Sequence, residues 1–278
     1  MSLISGRLWV VATPLGNLGD FPPRAIEVLR ACSLILAEDT RRAGRFLAAV
    51  RVDPPWMISF FEHNEEQRLK QVLELLRSGQ EAALISDAGT PVVSDPGYRL
   101  VRACRENGIP VSTVPGPSAP VAALSISGLP TVPFVFLGFL SRRAGEVTEI
   151  FEKWNPVQAT LVFFERKNRL ARTLTIAREV LGDREYSVCR ELTKKYEEVI
   201  RGNLADIEPV ADLRGEVTVV LGPPLQRERT GNLEAREVLE QELARGLKPK
   251  QAAREAAGRI QGWTGKELYR LLHERDFS

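Results

Sequence analysis

The sequence predicts an α/β protein built on a mostly parallel β-sheet, and two observations lead to this prediction. In the first half of the chain, short apolar runs alternate with segments whose apolar residues recur at helical spacing. Within the runs, polar and apolar residues do not alternate, which is typical of strands that helices cover on both faces. Strands and helices in regular alternation indicate βα units, and therefore a parallel sheet.

Each element of the first half is predicted from its own pattern. The apolar runs predict strands at residues 8–12, 34–37, 82–85 and 111–114. Helical spacing predicts helices at residues 22–32, 65–78 and 98–106. Asp39 and Thr40 are typical of the start of a further helix, because their side-chain oxygens accept hydrogen bonds from the first free amides.

A second α/β domain is predicted to follow the first, so that the two domains span residues 1–117 and 118–225. Its strands are expected at residues 134–137, 160–164, 187–189 and 217–221, and its helices at 145–154 and 168–181. A polar linker with prolines then precedes three predicted helices in residues 231–278, a module that resembles a helix-turn-helix. The third of these helices is predicted to begin with a capping box from Thr264 to Glu267.

Composition excludes several classes of protein. The 278 residues are 44% hydrophobic and 27% charged with a net charge of +2, which is ordinary for a soluble globular protein and does not by itself indicate nucleic-acid binding. Cys32, Cys104 and Cys189 lie far apart in apolar surroundings, as expected for reduced cysteines of a cytosolic protein. No targeting segment is recognisable, and prolines interrupt the long uncharged segment 107–141, so no membrane helix is predicted.

Three loops at the ends of predicted strands are candidates for a ligand site: "TPLGNLGD" (13–20), "SDAGTP" (86–91) and "PGPSA" (115–119). The carboxyl ends of parallel strands share one edge of the sheet, where ligands bind, and Gly and Pro let a backbone approach a ligand closely. The sequence has no nucleotide-binding G-x-G-x-x-G or G-x-x-x-x-G-K-[ST], no G-x-S-x-G hydrolase turn and no H-E-x-x-H zinc motif. The residues alone therefore predict a ligand-binding edge without identifying its ligand.

Six motifs extend the analysis beyond these loops. In chain order they are "VATPLGNLGD" (11–20), "AEDTRRAGRFL" (37–47), "EHNE" (62–65), "SDAGTPVVSDPGY" (86–98), "PGPSA" (115–119) and "RELTK" (190–194). Together they resemble the small-subunit ribosomal RNA (cytidine-2′-O)-methyltransferases, a branch of the tetrapyrrole-methylase superfamily. The resemblance covers nearly the whole chain, and "EDTR" followed by "SDAGTP…SDPGY" is specific to this branch.

The resemblance implies two α/β domains with S-adenosyl-L-methionine in the cleft between them, and a small C-terminal helical module. It implies methylation of the 2′-hydroxyl of one cytidine in the decoding region of small-subunit ribosomal RNA. The expected partner is that RNA or the assembled small subunit, and the expected state is a cytoplasmic homodimer without a metal or a membrane. The helical module then either contacts RNA or serves packing or dimer contact, and the sequence leaves both open.

The resemblance also implies a set of cofactor-binding residues, namely Pro14, Leu15, Gly16, Asp87, Ala88, Gly89, Thr90, Ser118, Ala119, Phe164, Glu216 and Val217. The Asp87 carboxylate would accept charge-assisted hydrogen bonds from the ammonium group or the ribose of the cofactor. Asp95 is expected to be structural, because Ser94 or Asp95 would cap the following helix and Pro96 would fit its first turn. Ordinary core packing is the alternative for Phe164.

The candidates for the reaction itself are Glu38, Asp39, Arg41 and His63. A ribose hydroxyl is a weak acid, so a positioned base is expected to help remove its proton. Helix capping is the alternative for Glu38 and Asp39, and a simple surface turn is the alternative for His63. Glu191, together with Lys194, is a further candidate for the base.

Two positions depart from the pattern of the family. Phe61 stands where a histidine or an aspartate is usual, two residues before "HN". The stretch "ERKNR" (165–169) stands where "ES-x-H-R" is usual, so Arg166, Lys167 and Arg169 would join Arg172 in a phosphate-contacting cluster or form a solvated helix start. Two alternative functions stay open: a corrinoid or porphyrin methyltransferase, and a catalytically silent protein of ribosomal RNA binding or assembly.

Overall fold

The computed structural model describes residues 6–53, 56–61, 63–207, 215–224, 230–260 and 262–273. The chain forms two compact units, Met1–Pro224 and Leu225–Ser278. In the part of the chain that is described, no helix is both long and apolar enough to cross a membrane. The predicted boundary between two α/β domains near residue 117 falls inside the larger unit and stays a prediction.

The first sheet of the larger unit is entirely parallel, as the sequence predicted. Its strands are β1 (Leu8–Val11), β2 (Leu34–Ala37), β3 (Met57–Ser59), β4 (Ala82–Ile85) and β5 (Val111–Val114). They pair in the order β3-β2-β4-β1-β5, with β4 in the middle. Because all five strands point the same way, the loops after them open on one edge of the sheet.

Helices cover both faces of this sheet: α1 (Pro23–Ala31), α2 (Thr40–Ala49), α3 (Glu65–Arg77) and α4 (Tyr98–Glu106). Leu29 of α1 and Leu47 of α2 belong to the same core cluster as Ile35 of β2. Leu36, the next residue of β2, packs in a second cluster with Leu76 of α3. Successive side chains of a strand point to opposite faces, so both faces are apolar and buried.

The second sheet is mixed. Its strands are β6 (Phe134–Phe139), β7 (Thr160–Arg166), β8 (Glu185–Arg190), β9 (Glu198–Asn203) and β10 (Glu216–Leu221). They pair in the order β6-β7-β10-β8-β9, with β6 parallel to β7 and the other pairs antiparallel.

Helices also cover both faces of the second sheet: α5 (Ala119–Ile126), α6 (Ala144–Trp154) and α7 (Leu170–Leu181). Phe151 of α6 and Leu174 of α7 pack with Phe163 of β7 on one face. On the other face, Leu124 of α5 packs with Val162 of β7.

The sequence did not predict β3, β9 or α5. β3 is only three residues long, and β9 carries charged residues in the sequence "EVIRGN". In α5 a proline at the second position obscures the helical pattern, although proline is compatible with the first turn of a helix.

The described residues of the smaller unit form three helices, α8 (Asn232–Ala244), α9 (Pro249–Arg259) and α10 (Gly265–His273). Their apolar side chains form a separate core that includes Leu239, Ala252, Ala256 and Leu268. The capping box is confirmed, since the Thr264 amide donates to Glu267 Oε2 at 2.8 Å and the Glu267 amide donates to Thr264 Oγ1 at 3.2 Å. Residues 225–229 of the predicted linker lie outside the described part of the chain.

The start of α4 differs from the prediction. Its N-cap residue is Gly97, whose φ of 124° favours glycine, and no side chain of the preceding turn caps the helix. Instead, the Leu100 amide donates to Oε1 of the buried Glu65, in the first turn of α3, at 3.3 Å. The prediction that Ser94 or Asp95 caps this helix, with the intervening proline in its first turn, is therefore wrong.

Candidate active site

A polar cavity of about 500 Å³ opens where β2, β3 and β4 end, and it is lined by Glu38, Asp39, Thr40, Arg41, Ser59, Phe61 and Asp87. Glu38 follows β2 directly, Ser59 ends β3, and Asp87 lies two residues after β4. The parallel pairing of these strands brings the three segments to one edge. Of the four catalytic candidates, the cavity unites Glu38, Asp39 and Arg41, and His63 is not among its lining residues.

Asp39 is the N-cap residue of α2. Its Oδ1 accepts hydrogen bonds from the amides of Arg41 at 2.8 Å and Arg42 at 3.2 Å. The hydrogen bonds from the Arg42 and Arg41 amides stabilise the ionised carboxylate and lower the pKa of Asp39. A carboxylate with a lowered pKa accepts protons poorly, so the geometry favours capping over general-base catalysis at this residue.

Glu38 has the opposite environment, although it is the adjacent residue. Partial burial raises its pKa, and the negative charge of Asp87 raises it further. A carboxylate with a raised pKa accepts a proton more readily near neutral pH. Glu38 is therefore a better candidate for the base than Asp39.

Asp87 pairs with a residue that the sequence analysis did not select. Arg42 Nη1 donates to Asp87 Oδ2 at 2.8 Å. The pair is open to solvent, with 65% of the Arg42 side chain and 27% of the Asp87 side chain exposed, so the carboxylate remains accessible to a ligand. The signal for Arg42 was its position in the first turn of α2, three residues after the Asp39 cap.

The Asp95 carboxyl group lies near this site but outside the lining of the cavity, although the sequence analysis expected a capping role. Its half-buried carboxyl group interacts with Ser86, Glu38 and Asp87. Burial, together with the charge of Glu38, raises the pKa of Asp95 to about 6. The left-handed backbone of Ser94, with a φ of 67°, is part of the turn that precedes Asp95. No local sequence signal distinguishes this placement from a helix cap.

Hydrogen bonds join the three predicted cofactor loops. The Thr13 amide donates to the Gly89 carbonyl at 2.8 Å, and the Gly89 amide donates to the Thr13 carbonyl at 3.0 Å. Thr90 Oγ1 donates to the Pro117 carbonyl at 3.1 Å. These bonds join the loop after β4 to the loops after β1 and β5. Of the other predicted contacts in these loops, Pro14 is buried, Leu15 is half-buried, and Gly16 and Ala88 are exposed.

Two further groups of predicted residues lie next to these loops. Ser118 is the N-cap residue of α5, without a side-chain capping bond, and Ala119 packs in the same cluster as Leu15. Glu191 Oε1 lies 3.3 Å from Lys194 Nζ. A Cβ on Gly16 would lie 2.3 Å from the Lys194 side chain, so this ion pair is next to the loop after β1 rather than in the lining of the cavity.

The residues of the second sheet that were predicted to bind the cofactor differ in burial. The side chain of Val217 packs in the core with α6 and α7, which leaves only its backbone for a ligand. Thr218 points to the opposite face, beside its register partner Phe164. Phe164 is half-buried, with its ring centroid 5.1 Å from that of Phe136. The side chain of Glu216 lies outside the described part of the structure.

Burial divides the predicted cation cluster after β7. Arg169 Nη2 lies 2.5 Å from Oε1 of the buried Glu165, and Thr173 Oγ1 donates to Glu165 Oε2 at 2.6 Å. Arg169 therefore stabilises the turn from within. The cations of this turn that remain exposed are Arg166, Lys167 and Arg172.

His63 and Phe61 lie in the turn between β3 and α3. The exposed His63 has its ring centroid 6.4 Å from that of Phe61, with the rings nearly perpendicular. Phe61 and Ser59 line the cavity, although the sequence analysis named neither as a site residue. Among the described residues, no group of three or more His, Cys, Asp or Glu side chains is arranged to hold a metal ion.

Comparison with known proteins identifies similar sequences. Residues 7–208 match the family described as "Tetrapyrrole (Corrin/Porphyrin) Methylases". A protein of Micromonospora olivasterospora named "Ribosomal RNA small subunit methyltransferase I" is 40% identical over 281 residues, covering 98% of this chain and 88% of the relative. A protein of the same name from Thermotoga maritima is 43% identical over 219 residues, covering 78% of this chain and 98% of the relative.

Two solved structures are similar in fold. The methyltransferase CobJ superposes with a TM-score of 0.60 at 21% sequence identity, covering 82% of this chain and 98% of that one. Uroporphyrin III C-methyltransferase from Thermus thermophilus gives a TM-score of 0.54 at 19% identity, covering 78% of this chain and 97% of that one. At these identities the similarity establishes the fold alone.

Proposed function

The chain belongs to the tetrapyrrole (corrin/porphyrin) methylase family, and from its similarity to relatives named as ribosomal RNA small subunit methyltransferases we propose that it methylates the ribosomal RNA of the small subunit. It is an S-adenosylmethionine-dependent methyltransferase. The finer proposal is that the acceptor is the 2′-hydroxyl of a cytidine in the decoding region. The ordered motifs and the names of the relatives support the RNA substrate. The structural observation that carries the proposal is the open polar cavity with Glu38 in its lining, which adjoins the cofactor loops at Asp87.

The joined loops fit the cofactor. The backbone of Gly89 has a φ of 85°, which favours glycine, and this residue packs close to Leu15 and to the Pro117 carbonyl where the loops meet. Asp87 would hold the ammonium group or the ribose, while Leu15 and Phe164 would offer apolar surface. When bound, S-adenosylmethionine supplies an electrophilic methyl group on a positively charged sulfur.

The residues of the cavity would prepare the acceptor hydroxyl. Glu38 would accept its proton, as the raised pKa of this carboxyl group favours. Asp39 would hold α2 in place through the two capping hydrogen bonds, and Arg41 would contact a phosphate next to the reacting ribose. The resemblance to small-subunit ribosomal RNA methyltransferases supports a homodimer that acts in the cytoplasm on the RNA or on the assembled small subunit.

We expect Glu38→Gln to lower the rate of methyl transfer by about 10²- to 10⁴-fold, because general-base catalysis contributes about that much. Asp39→Asn keeps a capping oxygen, and His63→Ala removes a residue outside the cavity lining, so both should stay within a few-fold of the wild type. The measurement is single-turnover methylation of undermethylated small subunits. Mass spectrometry of the RNA would identify the nucleotide and the methylated oxygen, and binding of S-adenosylhomocysteine would control for an intact cofactor site.

The outcomes separate the open alternatives. Methyl transfer to a tetrapyrrole instead of RNA would replace the proposed substrate. Binding of S-adenosylhomocysteine without methyl transfer to any substrate would favour a silent RNA-binding or assembly protein. A normal rate for Glu38→Gln, together with a slow rate for Asp39→Asn, would transfer the role of base to Asp39.

A further inference from the structure

Phe61 is the one aromatic side chain among the residues that line the cavity of the described structure. It is 36% exposed, although an apolar ring of this size is normally buried. The neighbouring Phe60 shows the usual arrangement, because it is 1% exposed and packs in the core of the first sheet. The ring of Phe61 therefore presents apolar surface to an otherwise polar cavity.

The turn around Phe61 is held in place. Asn64 Oδ1 accepts a hydrogen bond from the Phe61 amide at 2.8 Å, and Asn64 Nδ2 donates to the Ser59 carbonyl at 3.0 Å. These two bonds connect the end of β3, the backbone of Phe61 and the N-cap residue of α3. A ring on a fixed backbone loses little conformational freedom when a ligand packs against it.

Phe61 follows the edge strand β3, away from the loops after β1 and β5. The cofactor loops follow β1, β4 and β5, whereas Phe61 follows β3, at the opposite end of the strand order β3-β2-β4-β1-β5. Asp87, which follows the central strand β4, lines the cavity and also belongs to one of the cofactor loops. The ring therefore lies on the side of the cavity where the acceptor would enter.

We propose that Phe61 is a stacking platform for the base of the nucleotide that is methylated, and that this nucleotide enters the cavity with its base unstacked from the RNA. The proposal rests on the RNA substrate proposed above. Enzymes that recognise single nucleotides of RNA hold unstacked bases against aromatic rings. Here the ring would hold the base, and the polar lining near Glu38 would surround the ribose.

The experiment compares Phe61→Ala and Phe61→Trp with Trp56→Ala. Trp56 is a matched control, because it is a 43% exposed aromatic residue next to the other end of the same strand. For each protein, kcat/KM would be measured with undermethylated small subunits, and the Kd of S-adenosylhomocysteine would be measured by calorimetry. Thermal unfolding of the variants would show that each of them folds.

The expected result is that Phe61→Ala lowers kcat/KM by about 5- to 150-fold, the range that base–aromatic stacking provides. Phe61→Trp and Trp56→Ala should remain close to the wild type, and the Kd of S-adenosylhomocysteine should be unchanged in all variants. An aromatic replacement that restores activity distinguishes stacking from a general structural role.

Three results would overturn the inference. If Phe61→Ala has the same kcat/KM as Trp56→Ala, the Phe61 ring contributes nothing to methyl transfer. A parallel loss of S-adenosylhomocysteine affinity would mean that the ring contacts the cofactor instead of the base. Phe61→Trp as impaired as Phe61→Ala would exclude stacking. Failure of the wild type to methylate small subunits would instead remove the proposed substrate, and the inference with it.

Discussion

The turns after β2 and β7 have similar sequences but different environments. Each segment stands at the end of a buried strand, begins with glutamate, and continues with cations into a helix. "EDTRR" (38–42) follows β2 directly, and "ERKNR" (165–169) begins with the last two residues of β7. After β2, the ion pair from Arg42 reaches Asp87 at the open edge of the sheet. After β7, Arg169 reaches back to Glu165, whose side chain is fully buried.

The two segments show that burial, and not composition, decides whether the charged side chains of a turn are available to a ligand. Thr173 of α7 and the Arg166 amide satisfy the Glu165 carboxylate from within the fold. Glu38 faces a cavity instead, and its raised pKa comes from partial burial and from the charge of Asp87. We therefore assign stability to the second turn and function to the first.

The largest expected effect is on the buried turn. Arg169→Ala should lower the free energy of unfolding by about 3–5 kcal/mol, because it leaves the Glu165 carboxylate buried without its cation. The exposed Arg166→Ala should change it by less than about 0.5 kcal/mol. Urea denaturation checks both values.

A double variant sharpens this test. Replacing Glu165 by Leu and Arg169 by Met removes both charges, and should recover much of the stability lost in Arg169→Ala, since an apolar pair of similar volume replaces buried ion pairs well. Equal stability of Arg169→Ala and Arg166→Ala would show that the two turns do not differ in this way.

The next effect concerns the open turn and its ligand. Asp87→Ala should weaken S-adenosylhomocysteine binding by about 10- to 150-fold, the contribution of one hydrogen bond to a charged group. Its effect on the free energy of unfolding should be at most about 1 kcal/mol, because the ion pair with Arg42 is exposed. Calorimetric titration measures the affinity.

Arg42→Ala is the matched control for Asp87→Ala. It breaks the same ion pair but keeps the Asp87 carboxylate, so the affinity for S-adenosylhomocysteine should equal that of the wild type. If both variants lose affinity equally, the ion pair, and not the Asp87 carboxylate, supports the cofactor site.

The smallest effect is a pH dependence of stability at Asp95. Burial and Glu38 raise its pKa from 3.8 to about 6, so the folded state favours the protonated form. The stability that protonated Asp95 contributes is fully present below pH 4 and is lost as the pH rises through about 6. Asp95→Asn should therefore be about 1 kcal/mol more stable than the wild type at pH 7.5 and equal to it near pH 4.

Thermal unfolding from pH 4 to pH 8 checks this prediction. A stability difference between Asp95→Asn and the wild type that does not change with pH would contradict the placement of Asp95 beside Glu38. A larger effect in the opposite direction would indicate that Asp95 is ionised and paired in the folded state.

Local patterns determined most of the fold. The apolar runs located β1, β2, β4 and β5 of the first sheet, and the Asp39 cap and the Thr264 capping box were confirmed as the starts of helices. These features depend on residues a few positions apart, so sequence spacing expresses them directly. The ordered motifs likewise indicated the tetrapyrrole-methylase family, which the match of residues 7–208 confirms. Most of the predicted cofactor loops also lie together, because parallel strands end at one edge.

Only the tertiary structure decided the roles of individual charged residues. Glu65 caps α4 from 35 residues away, Arg42 pairs with Asp87 across 45 residues, and Asp95 turns towards Glu38. Each of these contacts depends on the order of the strands, in which β4 lies between β1 and β2. Strand order is set by the packing of the whole sheet, so no short stretch of sequence encodes which carboxylate is buried, paired or open.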